Sequence, residues 1–150
     1  MHQAYRDLVQ DFCTLACLDD AKAIAEGCSF CVDEVECALI YLDHLSPDII
    51  HCYIDFGPAP EARRAEVYRL LLNANYLQLA SSNASFTLSP ETGHVVLIST
   101  FHFAEASPET LADLLAYHAQ QALEWRRSYY LDLAHGDKPG SIEGTSIRFA

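Results

Sequence analysis

Positive charge is scarce in this sequence. Only nine of 150 residues are Lys or Arg, against 21 Asp and Glu, for a formal charge of −12. A surface of that sign repels phosphates, so nucleic acid is excluded as a partner. Long apolar runs are also missing. No stretch approaches the roughly 20 residues that a helix needs to span a bilayer, so no membrane insertion is expected. Met1 to Leu18 carries Asp7 and Asp11 where a secretory signal would need an uninterrupted apolar run, and the expectation is a cytoplasmic protein. The six glycines are isolated, which rules out a glycine-rich phosphate loop. There is no Gly-x-Ser-x-Gly elbow, and no Ser or Cys is marked out with a His and an acid. An enzyme is therefore not expected.

Six cysteines are present, and in the cytoplasm they are reduced thiols. Cys28-Ser29-Phe30-Cys31 matches Cys-x-x-Cys. A redox pair of that kind sits at a helix N-terminus, where the dipole lowers a thiol pKa. Here it falls on a predicted strand, whose alternation sends the two side chains to opposite faces. Cys13 and Cys17 lie one turn apart on a predicted helix, while His51, Cys52, His94 and His102 are scattered over strands. None makes the paired ligand set that zinc needs, so no metal or cofactor is expected, and buried structural cysteine is the default. Asp19-Asp20 and Asp33-Glu34 fall in predicted turns and read as solvated.

Apolar residues make up 51% of a chain that is nevertheless strongly acidic. This suits a well-packed acidic monomer or a protein that covers apolar surface against a partner, and composition leaves both open. The length suits one domain with a sizeable core.

Periodicity supplies the elements. Tyr5, Leu8, Val9, Phe12, Leu15 and Ala16 recur at three and four, predicting an amphipathic helix over Gln3 to Leu18. Cys28, Phe30 and Val32 share one face of a first strand, turned at Asp33 to Val35. Glu36 to Asp43 is a second strand, apolar on both faces and so flanked by neighbours. Ile50, Cys52, Ile54 and Phe56 alternate with polar residues in a third. Gly57, Pro58 and Pro60 introduce a helix from about Pro60 to Asn73, stopped by Asn73 and Asn75. It is apolar on more than one side, so a second subunit is expected to cover it. Ala84, Phe86 and Leu88 open a hairpin that turns at Pro90 to Gly93 and returns over His94 to Phe103. Ser107 caps a final helix, with Pro108 at its first position and Glu109 in its first turn, running to about Leu131. Residues 132–150, with Gly136, Pro139, Gly140 and Gly144, read as a flexible tail after a single domain over 1–131. The order α-β-β-β-α-β-β-α predicts an α+β fold with a mainly antiparallel twisted sheet packed by helices.

That order, the LLLNANYL helix end, the SFTLSPETGHVVLIS hairpin and the SPETLADLLAYHAQQALEWR helix together resemble the CesT (Tir chaperone) family, the class I chaperones of bacterial type III secretion. The resemblance covers about Tyr5 to Tyr130. It implies a homodimer without enzymatic activity that binds the N-terminal segment of a secreted effector and keeps it extended and secretion-competent. A partner strand can add to a sheet edge while its alternate side chains fill apolar pockets. Leu8, Phe12 and Leu15 on the first helix and Phe30, Val32 and Leu39 on the strands are the candidates for such pockets. On that reading Phe12→Asp or Phe30→Asp abolishes effector binding and spares the fold. The resemblance places the dimer interface on the second helix and adjoining strand, at Val67, Tyr68, Leu71, Leu72 and Asn75 with Val95, Val96 and Ile98. Two alternatives stay open, a general dimeric peptide-binding adaptor of the same fold and a thiol- or metal-dependent enzyme using Cys28 and Cys31.

Overall fold

A computed structural model describes residues 3–78 and 83–132. The expected tail, 132–150, lies outside the described residues except for Asp132. The elements are α1 (Gln3–Ala16), α2 (Ala21–Ala25), β1 (Phe30–Val32), β2 (Val35–Tyr41), β3 (Ile49–Gly57), α3 (Arg64–Gln78), β4 (Ala84–Leu88), β5 (Val95–His102) and α4 (Pro108–Ser128), with short 3-10 turns before α3 and α4. The strands form one antiparallel sheet in the order β1-β2-β3-β5-β4. This is the α+β architecture that the pattern predicts, and β2 lies between two neighbours as expected.

Strand alternation divides the sheet into two unlike faces. Val35, Cys37 and Leu39 of β2, Ile50, Cys52, Ile54 and Phe56 of β3, and Val95 and Leu97 of β5 point to one side and are buried. Tyr5, Val9 and Phe12 of α1 and Leu111, Leu115, Ala119, Ala122 and Trp125 of α4 complete the core with them. Phe56 meets Trp125 edge-on at 5.8 Å, and Phe12 meets Phe30 at 5.7 Å. The other face carries Ala38, Tyr53, Val96 and Ile98, all half-buried.

Turn chemistry sets the register. Asp33 (φ 47°) and Glu34 (φ 67°) take the left-handed conformation in the two-residue link from β1 to β2, the mirror-image turn that matches strand twist. At the far end of β3 the ladder shifts register between Asp55 and Gly57. Arg126 of α4 serves the carbonyls exposed there. Its Nε donates to Phe56 O at 3.0 Å and its Nη2 to Asp55 O at 2.9 Å. A charged guanidinium spanning the irregularity ties the end of α4 to the sheet.

The bounds of all three long helices differ from the sequence expectation. Helix α1 ends at Ala16, and Asp20 instead caps α2, accepting from Ala23 N at 3.1 Å. Helix α3 starts later and continues to Gln78. Asn75 does not stop it, because its side chain is engaged by β4 and its backbone is free to remain helical. Helix α4 ends at Ser128, where Tyr129 turns left-handed at φ 51°. Its start is as predicted. Ser107 and Thr110 form a reciprocal cap, with Pro108 in the first turn.

A polar contact joins α4 to the sheet within the core. His118 of α4 is buried, with Nε2 at 3.2 Å from Ser99 Oγ and Nδ1 at 3.0 Å from Gln121 Oε1. The Gln121 amide nitrogen donates to Tyr117 Oη, so Gln121 Oε1 accepts the His118 Nδ1 proton and Nε2 accepts from Ser99. Burial holds His118 below the ordinary histidine value, only partly offset by the bond to Gln121. The unfolded chain therefore takes up this proton first as pH falls below about 6.5. Between that value and the lowered folded one, the unfolded state binds more protons and stability declines. Urea midpoints at pH 7.5 and 5.5 should show this loss in the wild type and less of it in His118→Gln. An equal loss in both would remove His118 from the account.

Candidate functional site

Binding of an extended segment needs a free strand edge and apolar hollows beside it. The two edges of this sheet are unlike. At β4, Asn75 of α3 reaches across and occupies a backbone pair: its Nδ2 donates to Phe86 O at 2.9 Å, and Phe86 N donates to its Oδ1 at 2.7 Å. The side-chain amide stands where a neighbouring strand would bond, and the edge is blunted there.

At β1 the pairing leaves the opposite result. Val32 faces Val35 across the two-residue turn, Cys31 faces Glu36, and Phe30 faces Cys37. In such a hairpin the residues flanking the turn bond each other and the next pair does not. The N–H and C=O of Cys31 therefore point outward, and Cys31 and Ser29 are exposed. A strand laid on this edge finds a donor and an acceptor ready.

The candidate pocket residues divide around that edge. Phe12, Leu39, Phe30 and Leu8 are buried, at 1%, 0%, 8% and 9% exposure, within the core between α1 and the sheet. Val32 is half-buried on β1 itself. Leu15, one turn beyond Phe12 on α1, is 50% exposed. The structure thus brings Phe12 against Phe30 and leaves Leu15 and Val32 at the surface.

A second apolar region lies at the other end of the sheet. Tyr68, Leu71, Leu72 and Asn75 of α3 face Phe86, Thr87 and Leu88 of β4 across a groove of about 400 Å³. On the open face of the sheet, Ala38, Tyr53, Val96 and Ile98 line a hollow of about 440 Å³. Thr87 and Leu88 line both, so the two adjoin at β4. Val67, Leu71 and Val95 are buried beneath this surface, while Leu72 is 66% exposed on it. Tyr76 and Leu77, at 77% and 72% exposure, extend the apolar side of α3 and were not expected from the sequence. Their signal was present in NYL of the helix end, but stopping the helix at Asn73 hid it.

The thiols do not converge. Cys13, Cys37 and Cys52 are buried, and Cys17, Cys28 and Cys31 are exposed and unbridged. Burial pushes Cys37 and Cys52 up to about 12, which keeps them protonated and unreactive. Cys28 precedes β1 and is not on it. Among the described residues no three His, Cys, Asp or Glu side chains gather to hold a metal ion, and no helix is long and apolar enough to cross a membrane.

A one-sheet α+β domain with an open strand edge and uncovered apolar hollows is a binding module. The chain matches the model of the Tir chaperone protein (CesT) family over residues 8–126, and it belongs to that family. It is accordingly a chaperone that acts by binding, not an enzyme. A search among curated proteins finds no match. The fold is similar to one in the crystal structure of the ExsC–ExsE complex, with 21% identity and a TM-score of 0.64 over 81% of this chain and 90% of that one. It is also similar to one in the HopA1–SchA chaperone–effector complex, with 16% identity and a TM-score of 0.56 over 84% of this chain and 92% of that one.

Proposed function

We propose that the chain is a type III secretion chaperone of the bacterial cytoplasm. It works as a homodimer, and each copy takes the N-terminal segment of a secreted effector as an added strand and keeps it extended. The observation that carries this reading is the asymmetry of the sheet edges, with β4 engaged by Asn75 and β1 open at Cys31. Backbone bonds at an edge accept many sequences, and the side-chain hollows beside it supply the choice among them. Val32 is half-buried and packs against the core that holds Phe12, Phe30, Leu8 and Leu39, and Leu15 is exposed one turn beyond Phe12 on α1. The dimer reading is supported by the apolar hollows that adjoin at β4, one lined by Tyr68, Leu72 and Asn75 and the other by Val96 and Ile98, with Val67, Leu71 and Val95 buried nearby.

Affinity purification from the native host tests the reading. The wild type should bring down a secreted protein of which limited proteolysis protects only the N-terminal segment. Cys31→Pro removes the outward N–H from an exposed edge position that tolerates proline. Its effector affinity should fall about tenfold, the loss of one net hydrogen bond of the stronger kind, with unchanged circular dichroism. A folded Cys31→Pro variant that retains its partner in full would move the site away from β1. A partner that is not secreted would favour the adaptor reading.

A further inference from the structure

We infer that the segment bound on β1 carries a basic side chain opposite Cys31, with an apolar residue on either side of it, and that Glu36 selects this pattern. The inference rests on the reading of β1 as the effector site and names the chemistry that the edge accepts.

Register is the first ground. One row of side chains crosses the open face of the sheet from the β1 edge inward. Cys31 of β1 pairs with Glu36 of β2. Cys37 pairs with Ile54, which sets Glu36 opposite Asp55 of β3. The residue of an added strand that bonds to Cys31 begins this same row, two strand spacings or about 10 Å from Glu36. An arginine or lysine there lays its stem along the surface and delivers its charge at the far end. Cys31, which lies between, is short and exposed. The two neighbours of that added residue alternate to the other face, where Phe30 and Val32 join the core. The edge therefore favours a cation between two apolar side chains.

Charge is the second ground. Asp33, Glu34 and Glu36 of the hairpin are exposed, and no ion pair among the described residues engages them. Asp55 is held in place, with Oδ1 accepting from Gly57 N at 2.6 Å and Oδ2 at 2.8 Å from His94 Nδ1. Glu36 and Asp55 line the same hollow, and like charges opposite each other on neighbouring strands repel. A cation reaching Glu36 from the edge relieves that repulsion, whereas an acidic residue would place three carboxylates in one row. Beyond Asp55 the row continues through Val96 to Thr87 at the β4 edge. Its charge is thus gathered at the β1 end.

Peptides of the form Ser-Thr-Ile-X-Ile-Thr-Ser, with X as Arg, Gln or Glu, test this on the full chain. Each is titrated at about 20 mM salt, and the chemical shift of the Cys31 amide gives the dissociation constant. The Arg peptide should bind about tenfold more tightly than the Glu peptide, with Gln between them. The gap should narrow at about 0.5 M salt, where the Debye length shrinks. In Glu36→Lys the order should invert, and circular dichroism should stay unchanged because Glu36 is exposed. Equal binding of the Arg and Glu peptides at Cys31 would overturn the inference and leave the edge as the effector site. A preference for Arg that survives in Glu36→Lys would overturn it as well, since the overall negative charge and not Glu36 would then be its source. If none of the peptides moves the Cys31 amide, the reading of β1 as a strand-accepting edge is lost, and the inference with it.

Discussion

Phe12→Asp should abolish cooperative folding. Phe12 is 1% exposed and packs edge-on against Phe30, linking α1 to β1. Removing the ring alone costs about 3–5 kcal/mol. A carboxylate without a partner in its place adds several kcal/mol more. A domain of this size holds only about 5–15 kcal/mol in total. This reverses the expectation drawn from the family resemblance, in which Phe12→Asp spares the fold. Leu15→Asp, one turn on and half exposed, should cost no more than about 0.5–1 kcal/mol, as for other surface changes. Thermal melts followed by far-ultraviolet circular dichroism compare them. A Phe12→Asp chain that melts cooperatively near the wild-type temperature would mean that α1 does not pack on the sheet as described.

Leu72→Asp should separate the dimer and leave each copy folded. Leu72 is 66% exposed beside Tyr76 and Leu77, and it borders the groove against β4. In a two-fold interface the same residue enters twice, so each substitution places two charges in the contact. Losses at central apolar positions run to about 2 kcal/mol or more, and doubling them raises the dissociation constant by two orders of magnitude or beyond, at about 1.4 kcal/mol for each tenfold. Light scattering across a dilution series gives the mass, and circular dichroism reports the fold. Leu71→Asp is the wrong probe, because Leu71 is 4% exposed and its loss reads as unfolding. A Leu72→Asp protein as dimeric as the wild type would place the interface elsewhere.

Much of the fold was legible from local chemistry. Ser107-Pro108-Glu109 marked the start of α4, and the alternation around Pro90 to Gly93 marked the β4–β5 hairpin, because caps, turns and period-two patterns act over a few residues. Asn75 was misread for the same reason. A local rule treats asparagine as a helix stop, but the partner that retains it in α3 is the backbone of Phe86, eleven residues on. The C-x-x-C motif was read as strand at both ends, although Cys28 lies before β1. The reading that the pair makes no redox centre rests on that strand placement, and the reading that it holds no zinc rests on the lack of a second ligand pair.

By itself the sequence determined the order and type of the elements other than the short α2, the acidic character and the family resemblance, since each is written in neighbouring residues. Only the tertiary structure decided which apolar faces are core and which are left open. Phe12 and Leu15 lie on the same apolar stripe of one helix, and Leu71 and Leu72 are adjacent in one run, yet one of each pair is buried and the other is exposed. Periodicity records that a side chain favours leaving water. What covers it depends on elements distant in the chain, here α1 and α4 over one face of the sheet and Asn75 at the β4 edge, so the free edge at Cys31 emerges only when the strands are set side by side.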